Sequence, residues 1–424
     1  MFLKELYIQN FRGIESQNLE FTDGINLIIG NNGAGKTSIL SAAAITLGFF
    51  THSLTRKGNL KISKSDVRYI QKKISVSVSE FESVYPVVVE SKVDFDDTIV
   101  QFGQNLEDVS EIQRLRHKKM SLEKIELLKV LKGVYPLISY QRFDREWKIK
   151  PGDNRNQITV DFGAVSRESG YENCLSGIGY ENIIQRWCLK MALMEFERKS
   201  EIREFKLFQR IVELFIQQLE DNDRDIKVYY SSEIGGLIYD DGVTRMPLYD
   251  LSTGYRAVLS MIMELAYRAV VLNPEMPEDL QGIKGIVLID EIDAHLHPKW
   301  QWRILDALKA TFPHVQFIVA THSPMIISSA KNANIINLDE ERGVTYLDSA
   351  YGFSTGDVLT LRQGTVDMPV EAKMQLDALE KALDDADDDR ARKILDNARV
   401  EYGENSAFYA ELQQTYKLNS WMDD

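Results

Sequence analysis

Gly30-Asn31-Asn32-Gly33-Ala34-Gly35-Lys36-Thr37 is the stretch on which the reading of the fold turns. It stands between an apolar run, Gly24–Ile29, that reads as a buried strand, and a helical run opening near Ser38 and continuing to about Phe50. Small residues are needed at this junction because backbone N–H groups must wrap a polyphosphate at a range where side chains would collide. Lys36 then reaches the terminal phosphates, the Thr37 hydroxyl takes one position in a Mg²⁺ shell, and the helix N-terminus adds its dipole. Asn31, Asn32, Gly33, Ala34, Gly35, Lys36, Thr37 and Ser38 are therefore the residues expected to contact a nucleotide.

Outward from this stretch, Phe2–Gln9 alternates as a strand and Asn10-Phe11-Arg12-Gly13 turns the chain toward Gly24. Arg12 is either a surface arginine or a residue approaching the nucleotide from that turn. Lys73–Val78 and Val87–Asp94 predict an antiparallel layer, and residues 105–131 read as charged and partly helical. Tyr135–Tyr140 is a short apolar strand running into Gln141, which either binds the water of a Mg²⁺ shell, senses the γ-phosphate or is a plain loop residue. Residues 150–180, rich in Gly, Asn, Arg and Ser, read as a mobile loop. From Asn182 to Leu219 the pattern is helical. Ile184, Trp187, Cys188, Met191 and Met194 form one apolar stripe, and Phe208, Ile211, Val212 and Phe215 another. Lys227–Ser231 and Leu237–Tyr239 predict a hairpin.

Leu251-Ser252-Thr253-Gly254-Tyr255-Arg256 opens a helix expected to run from Ala257 to about Leu272, with Ser252 as its cap and Gly254 keeping the backbone accessible. Gly285–Ile289 is an apolar strand that delivers Asp290 and Glu291 at its C-terminal end, where open α/β sheets place their ligands. Two adjacent acids after a buried strand need a metal or a proton-transfer role. Asp290 is suited to hold the Mg²⁺ shell, and Glu291 to orient and deprotonate the attacking water. Gln316–Ala320 is a second buried strand, ending in Thr321-His322-Ser323-Pro324, and His322 is suited to contact a γ-phosphate. Ile335–Leu338 and Val344–Leu347 predict a closing hairpin.

The whole chain has 424 residues, 44% of them hydrophobic, and a formal net charge of −14, a poor global match for tight nucleic-acid binding. Its two cysteines, Cys174 and Cys188, exclude a disulfide scaffold and fit a reducing cytoplasm. No apolar run reads as long enough to cross a bilayer, so no membrane is expected. Glu371–Asp389 carries eight acidic and two basic residues, forming either a solvated face or one turned to a partner. Along the tail, Leu376, Leu379, Leu383 and Ala386 share one helical face, Ala391, Ile394, Leu395 and Ala398 another, and Phe408, Leu412 and Tyr416 mark a third helix.

In this order, the motifs resemble those of the ABC-type ATPases of the RecF, SMC and OLD group, over nearly all of residues 1–350. The resemblance implies an α/β fold, a P-loop NTPase of ABC-ATPase head type with a mixed sheet, a helical insertion and a small C-terminal helical appendage. It divides the chain into an ATPase lobe with the P-loop and antiparallel layer (1–140), a helical and loop insertion (141–250), a second lobe (251–350) and a partner-binding appendage (351–424). It makes Gly30–Thr37 the Walker A motif, Gln141 the Q-loop, Ser252 and Gly254 the signature, Asp290 and Glu291 Walker B, Asp293 the D-loop and His322 the switch histidine. ATP and Mg²⁺ are the implied cofactors. The implied assembly is a homodimer in which ATP lies between the P-loop of one head and the signature of the other. Thr253 and Tyr255-Arg256 depart from the Gly-Gly-Gln run of the group, which bears on hydrolysis rate more than on ATP binding. Coiled-coil arms are missing, against a chromosome-tethering role. Within the group, the chain is most similar to compact bacterial ATPases of anti-phage systems, such as PtuA of Septu and the retron-associated ATPases, on Ile292–Pro298, Ala320–Pro324 and the tail from Tyr351. That likeness implies a cytoplasmic ATP-hydrolysing switch controlling a separate effector, expected to be a nuclease, with nucleic acid reached through the complex. The alternative is a RecF-like DNA-repair ATPase acting on DNA.

Overall fold

The computed structural model describes residues 1–55, 60–73, 79–108, 131, 133–143, 148, 166–176, 180–275, 282–339, 343–364 and 368–420. Fifteen strands occur among them, in chain order β1 (Phe2–Phe11), β2 (Ile14–Glu20), β3 (Ile25–Gly30), β4 (Tyr69–Lys73), β5 (Ser79–Ser83), β6 (Val87–Phe95), β7 (Thr98–Leu106), β8 (Leu137–Gln141), β9 (Lys227–Ser231), β10 (Gly236–Asp240), β11 (Arg245–Pro247), β12 (Lys284–Ile289), β13 (His314–Ala320), β14 (Asn334–Asp339) and β15 (Gly343–Leu347).

The central sheet has the order β15-β14-β3-β13-β12-β8. All its pairs are parallel except the edge hairpin β14–β15. Covered on both faces, its parallel strands are continuous apolar runs: Ile286, Val287, Leu288 and Ile289 of β12 and Phe317, Ile318 and Val319 of β13 are all fully buried. Because β3, β8, β12 and β13 are parallel, the segments that follow them emerge at one edge. The sheet therefore gathers the P-loop, Gln141, Asp290–Glu291 and His322 there.

The antiparallel layer is β2-β1-β6-β7. β2 and β7 are not foreseen by the sequence pattern. β2 buries only Ile14 and Leu19 among polar residues, and its pairing with β1 supplies what its own periodicity lacks. The expected strand Lys73–Val78 falls almost wholly outside the described residues, where β4 and β5 pair on either side of the gap. Most of the expected 105–131 helix also lies outside them.

The P-loop helix, Lys36–Thr55, is longer at both ends than expected. Contrary to the sequence reading, it is long and apolar enough to cross a membrane by length and composition. It is a core helix here, with 72% of its most apolar window buried. Phe50 near its end stacks on Phe95 of β6 (ring centroids 5.5 Å apart) and meets Phe102 of β7 edge-on.

Within the expected mobile loop, the described residues 166–176 are packed instead. Arg167–Tyr171 is a 3-10 turn, and Tyr171, Cys174 and Leu175 are buried. The tie is a fully buried arginine: Arg268 donates to Glu264 Oε1 at 2.8 and 2.9 Å and to the carbonyls of Gly170 and Glu172 at 2.6 and 3.1 Å, and lies over the Tyr180 ring. A buried charge is tolerated only with such partners; Glu264 lies one helical turn before Arg268, but the Gly170 and Glu172 carbonyls are too distant in sequence to be legible there.

Helices Glu181–Arg198 and Arg203–Glu220 replace the single helical stretch, broken at Lys199 in the left-handed region. Both apolar stripes are buried as expected, except Met194, which is only partly covered. The hairpin β9–β10 gains a third strand in β11. Helix Thr253–Leu272 begins four residues before Ala257.

Met1–Gly352 forms one compact unit and Phe353–Asp424 another. The expected lobes 1–140 and 251–350 share one sheet, in which β8 runs across residues 140 and 141 and pairs with β12, whereas β9, β10 and β11 of the 141–250 stretch form a separate three-stranded sheet. The second unit has helices Thr355–Gln363, Val370–Asp384, Asp388–Tyr402 and Ala407–Ser420. Its own core includes Leu376, Leu379, Ala382, Ala391, Ala398 and Leu412. Ala386 does not join the expected face. Helix Val370–Asp384 has ended, Ala386 is exposed with a φ of 53°, and Asp387 caps the next helix by accepting from the Arg390 amide at 3.1 Å.

Candidate nucleotide site

The loop after β3 turns through three glycines of positive φ, Gly30 (141°), Gly33 (87°) and Gly35 (99°). Gly30 is also required by space: a Cβ there would lie 2.6 Å from the Leu338 carbonyl oxygen of β14. The helix begins at Lys36, so the Gly33–Gly35 turn opens directly on its unpaired N–H groups. Asn31, Asn32, Gly33 and Thr37 are exposed, with Ala34, Gly35 and Ser38 partly so. Lys36 is buried. Its Nζ donates to the Gly30 and Asn31 carbonyls at 2.8 and 2.9 Å, which holds the ammonium over the loop. Burial lowers its pKa, opposed by the charges of Asp290, Glu291 and Asp293.

Asp290 follows β12 and is almost wholly buried. Its amide donates to the Gln141 carbonyl at 2.8 Å, and its Oδ1 accepts from Thr37 Oγ1 at 3.2 Å across 253 residues of sequence. A hydroxyl and a carboxylate in contact form a hard oxygen donor set of the kind Mg²⁺ takes. Beside them the Tyr140 hydroxyl has its pKa pushed up to about 12 by burial and then by Asp290. The Gln141 side chain is differently engaged: its Nε2 donates to Ser139 Oγ at 2.8 Å, and Ser139 Oγ donates to Glu264 Oε1 at 3.4 Å. Strand alternation places Ser139 and Gln141 on one face and Tyr140 on the other.

Arg12, with a φ of 51°, is brought to the same edge. Its Nε donates to Asp66 Oδ1 at 2.8 Å and its Nη1 to Ser41 Oγ at 3.0 Å, one helical turn beyond Thr37. Arg12, Thr37, Ser41, Tyr140, Arg142 and Asp290 line a cavity of about 250 Å³. Ser41 is legible in sequence as the i+4 neighbour of Thr37. Asp66 is not, since nothing near residue 66 marks it as the partner of residue 12.

Glu291 has a φ of 45° and heads the loop that includes Asp293 and His295. His322 follows β13. Its pKa is lowered by burial and then by the Lys36 charge, against the raising influence of Asp293, Glu291 and Asp290, so its imidazole is neutral at neutral pH. Lys36, Asp290, Glu291, Asp293 and His322 thus form one electrostatic cluster.

Ser252 and Gly254 have other neighbours. Ser252 is exposed and caps its helix, with its side chain accepting from the Tyr255 amide at 3.4 Å. A Cβ on Gly254 would lie 2.7 Å from the His295 carbonyl oxygen, and Tyr255 meets Trp300 edge-on at 4.6 Å. This close approach is a packing demand on Gly254 that sequence alone does not reveal. Gly254→Ala is accordingly expected to destabilise the fold by about 1–3 kcal/mol through overpacking, although alanine is the better helix former. Denaturant unfolding measures it, and a midpoint that stays level or rises is inconsistent with that contact.

An AAA domain family model matches residues 5–231, over half of the chain. A second AAA domain model, described with the AbiEii toxins of type IV toxin–antitoxin systems, matches residues 190–328. The retron Vc95 probable ATPase of Vibrio cholerae is 24% identical over 380 residues, covering 76% of this chain and 71% of that one. The Septu protein PtuA of Bacillus thuringiensis is 23% identical over 408 residues, covering 92% and 91%. Among solved structures, the SMC head domain from Thermotoga maritima aligns at 15% identity with a TM-score of 0.43, covering 82% of this chain and 100% of that one.

Proposed function

The chain belongs to the AAA domain family, as a P-loop ATPase related to defence-associated ATPases, and from that premise we propose that it is the ATP-driven switch of a bacterial anti-phage complex. In this reading two copies close around ATP and control a separate effector, a nuclease. The observation that carries it is the division of labour along the chain. Lys36, Thr37, Asp290, Glu291 and His322 all lie in Met1–Gly352, whereas Phe353–Asp424 builds a helical core of its own. The names of the retron and Septu relatives support the defence setting, and the two buried free cysteines fit a cytoplasmic one.

Each residue has a role set by its surroundings. Lys36 compensates the terminal phosphates, and Arg12, oriented by Asp66, adds a second cation. Thr37 and Asp290 would hold Mg²⁺, which would supply charge compensation to the phosphates, and the Gln141 amide, bonded to Ser139, would join them only on leaving that partner. Glu291 orients a water and takes its proton as the oxygen attacks the γ-phosphorus and ADP leaves. Neutral His322 donates to the γ-phosphate. Exposed Ser252, at a helix N-terminus, serves the ATP held by the second copy.

The appendage is the docking element for the effector. Its acidic run selects a basic surface, and its apolar helical faces meet another helix. Truncation after Gly352 removes the whole second unit, whereas a cut after Pro369 would leave helix Thr355–Gln363 attached. The truncated protein is expected to lose only the helical circular dichroism of the removed unit and to bind ATP normally, but to lose capture of the effector by at least about tenfold in affinity. A folded truncation with full partner affinity would refute the docking role.

A further inference from the structure

We infer that Thr321 and Asp293 form a positioning pair for ATP hydrolysis: one carboxylate oxygen, shared by the Thr321 hydroxyl and the His322 amide, sets the separation of the loops carrying Glu291 and His322. The inference deepens the roles proposed for Glu291 and His322 and rests on them. Thr321 follows the last residue of β13 and is fully buried. Its Oγ1 donates to Asp293 Oδ1 at 2.5 Å and accepts from the Ser323 amide at 3.0 Å. Valine has nearly the same shape and would fill this space, so the hydroxyl contributes bonding rather than volume. A buried hydroxyl is tolerated because both partners are present.

The other side of the pair controls Glu291. A left-handed conformation is unfavourable for a residue bearing a Cβ, so Glu291, with its φ of 45°, is held there by what surrounds it. The Ala294 amide closes the turn on the Glu291 carbonyl at 2.9 Å, and the Ile292 amide donates to the Ala320 carbonyl at 3.2 Å. Asp293, two residues past Glu291, then anchors the turn to Thr321 and His322, the latter through its amide at 3.3 Å. A further tie, from Ser323 Oγ to Gln301 Oε1 at 2.6 Å, fixes the 321–323 segment from behind. The geometry makes Asp293 and Thr321 a spacer acting through Glu291 and His322.

The test compares steady-state ATP turnover, ATP affinity and thermal unfolding of Thr321→Val, Thr321→Ser, Asp293→Ala, Asp293→Asn, His322→Ala and the Thr321→Val/His322→Ala double variant. Thr321→Val is expected to lower kcat about tenfold at unchanged ATP Kd, and Thr321→Ser to return it to within about twofold of wild type. In the His322→Ala background, Thr321→Val should cost less than in the wild type, because part of its effect passes through His322. Asp293→Ala should lower kcat at unchanged ATP Kd, and Asp293→Asn, whose amide oxygen still accepts both bonds, should retain most of it. Wild-type turnover in Thr321→Val, with His322→Ala impaired, overturns the positioning pair and leaves the role of His322 standing. Wild-type turnover in His322→Ala overturns both. A Thr321→Val loss that is undiminished without His322, or not rescued by serine, assigns Thr321 to general stability and also overturns the pair. If Thr321→Val does not fold, the folded Asp293→Ala decides, with Asp293→Asn as its control: a fall in kcat that asparagine restores supports the pair, whereas wild-type kcat in Asp293→Ala, or a fall that asparagine does not restore, overturns it.

Discussion

Lys36→Ala is expected to weaken ATP binding by about 100-fold or more, while Glu291→Gln keeps ATP affinity and loses about 10²–10³-fold in kcat. The two residues act at different stages. Lys36 is the ammonium held over the loop by the Gly30 and Asn31 carbonyls, in a cluster that also contains Asp290, Glu291 and Asp293. Without it, three carboxylates face a polyanion with less compensation, and the penalty falls on binding itself. Glutamine at 291 preserves shape and hydrogen bonding but cannot take a proton from water, so the penalty falls on the chemical step. The Glu291→Gln protein should therefore accumulate as an ATP-bound dimer. Equilibrium ATP binding and sedimentation velocity measure both outcomes. Unchanged affinity in Lys36→Ala, or ordinary hydrolysis by Glu291→Gln, rejects the assignment of these residues.

Mixing two inactive proteins, Ser252→Arg and Lys36→Ala, is expected to restore about a quarter of wild-type ATPase activity. Under the shared-site reading, a mixed dimer has one site damaged twice and one composed of an intact P-loop and an intact Ser252. Random pairing places half of the dimers in the mixed class, and one of two sites in each is whole. Ser252 is well placed for such a role because it is exposed at the start of helix Thr253–Leu272, where the next residues, Gly254 and Tyr255, approach His295 and Trp300. An arginine there would obstruct the approach of a second copy without entering the core. If mixed dimers form and no activity returns, either the sites are not shared or one cannot turn over without the other.

The fold is legible in the sequence where chemistry is local. The glycine spacing before Lys36 is needed by any backbone that turns so tightly, and the apolar runs before Gly30, Asp290 and Thr321 can only be buried strands. The capping role of Ser252 is legible for the same reason, as it depends on the next three residues. Sequence and structure part where pairing overrides periodicity. β2 and β7 are strands because β1 and β6 accept them, and residues 166–176 are ordered because Arg268, nearly a hundred positions away, holds the Gly170 and Glu172 carbonyls. The apolar helix Lys36–Thr55 outruns its sequence pattern, which extends only to about Phe50.

Sequence alone determined that this protein has a phosphate-binding loop, a pair of acids after one strand and a histidine after another, since each is a residue type at a strand end. Tertiary structure decided that they gather at one edge of the sheet. The order β3-β13-β12-β8 is not readable from strand sequence, and it alone brings Thr37 to Asp290. It also decided the partners of the functional side chains: Asp66 for Arg12, Ser139 for Gln141, and Asp293 for Thr321 and the His322 amide. Hydrogen bonds depend on angstroms between atoms. Where the partners lie far apart along the chain, only the packing of the sheet and its loops sets those distances.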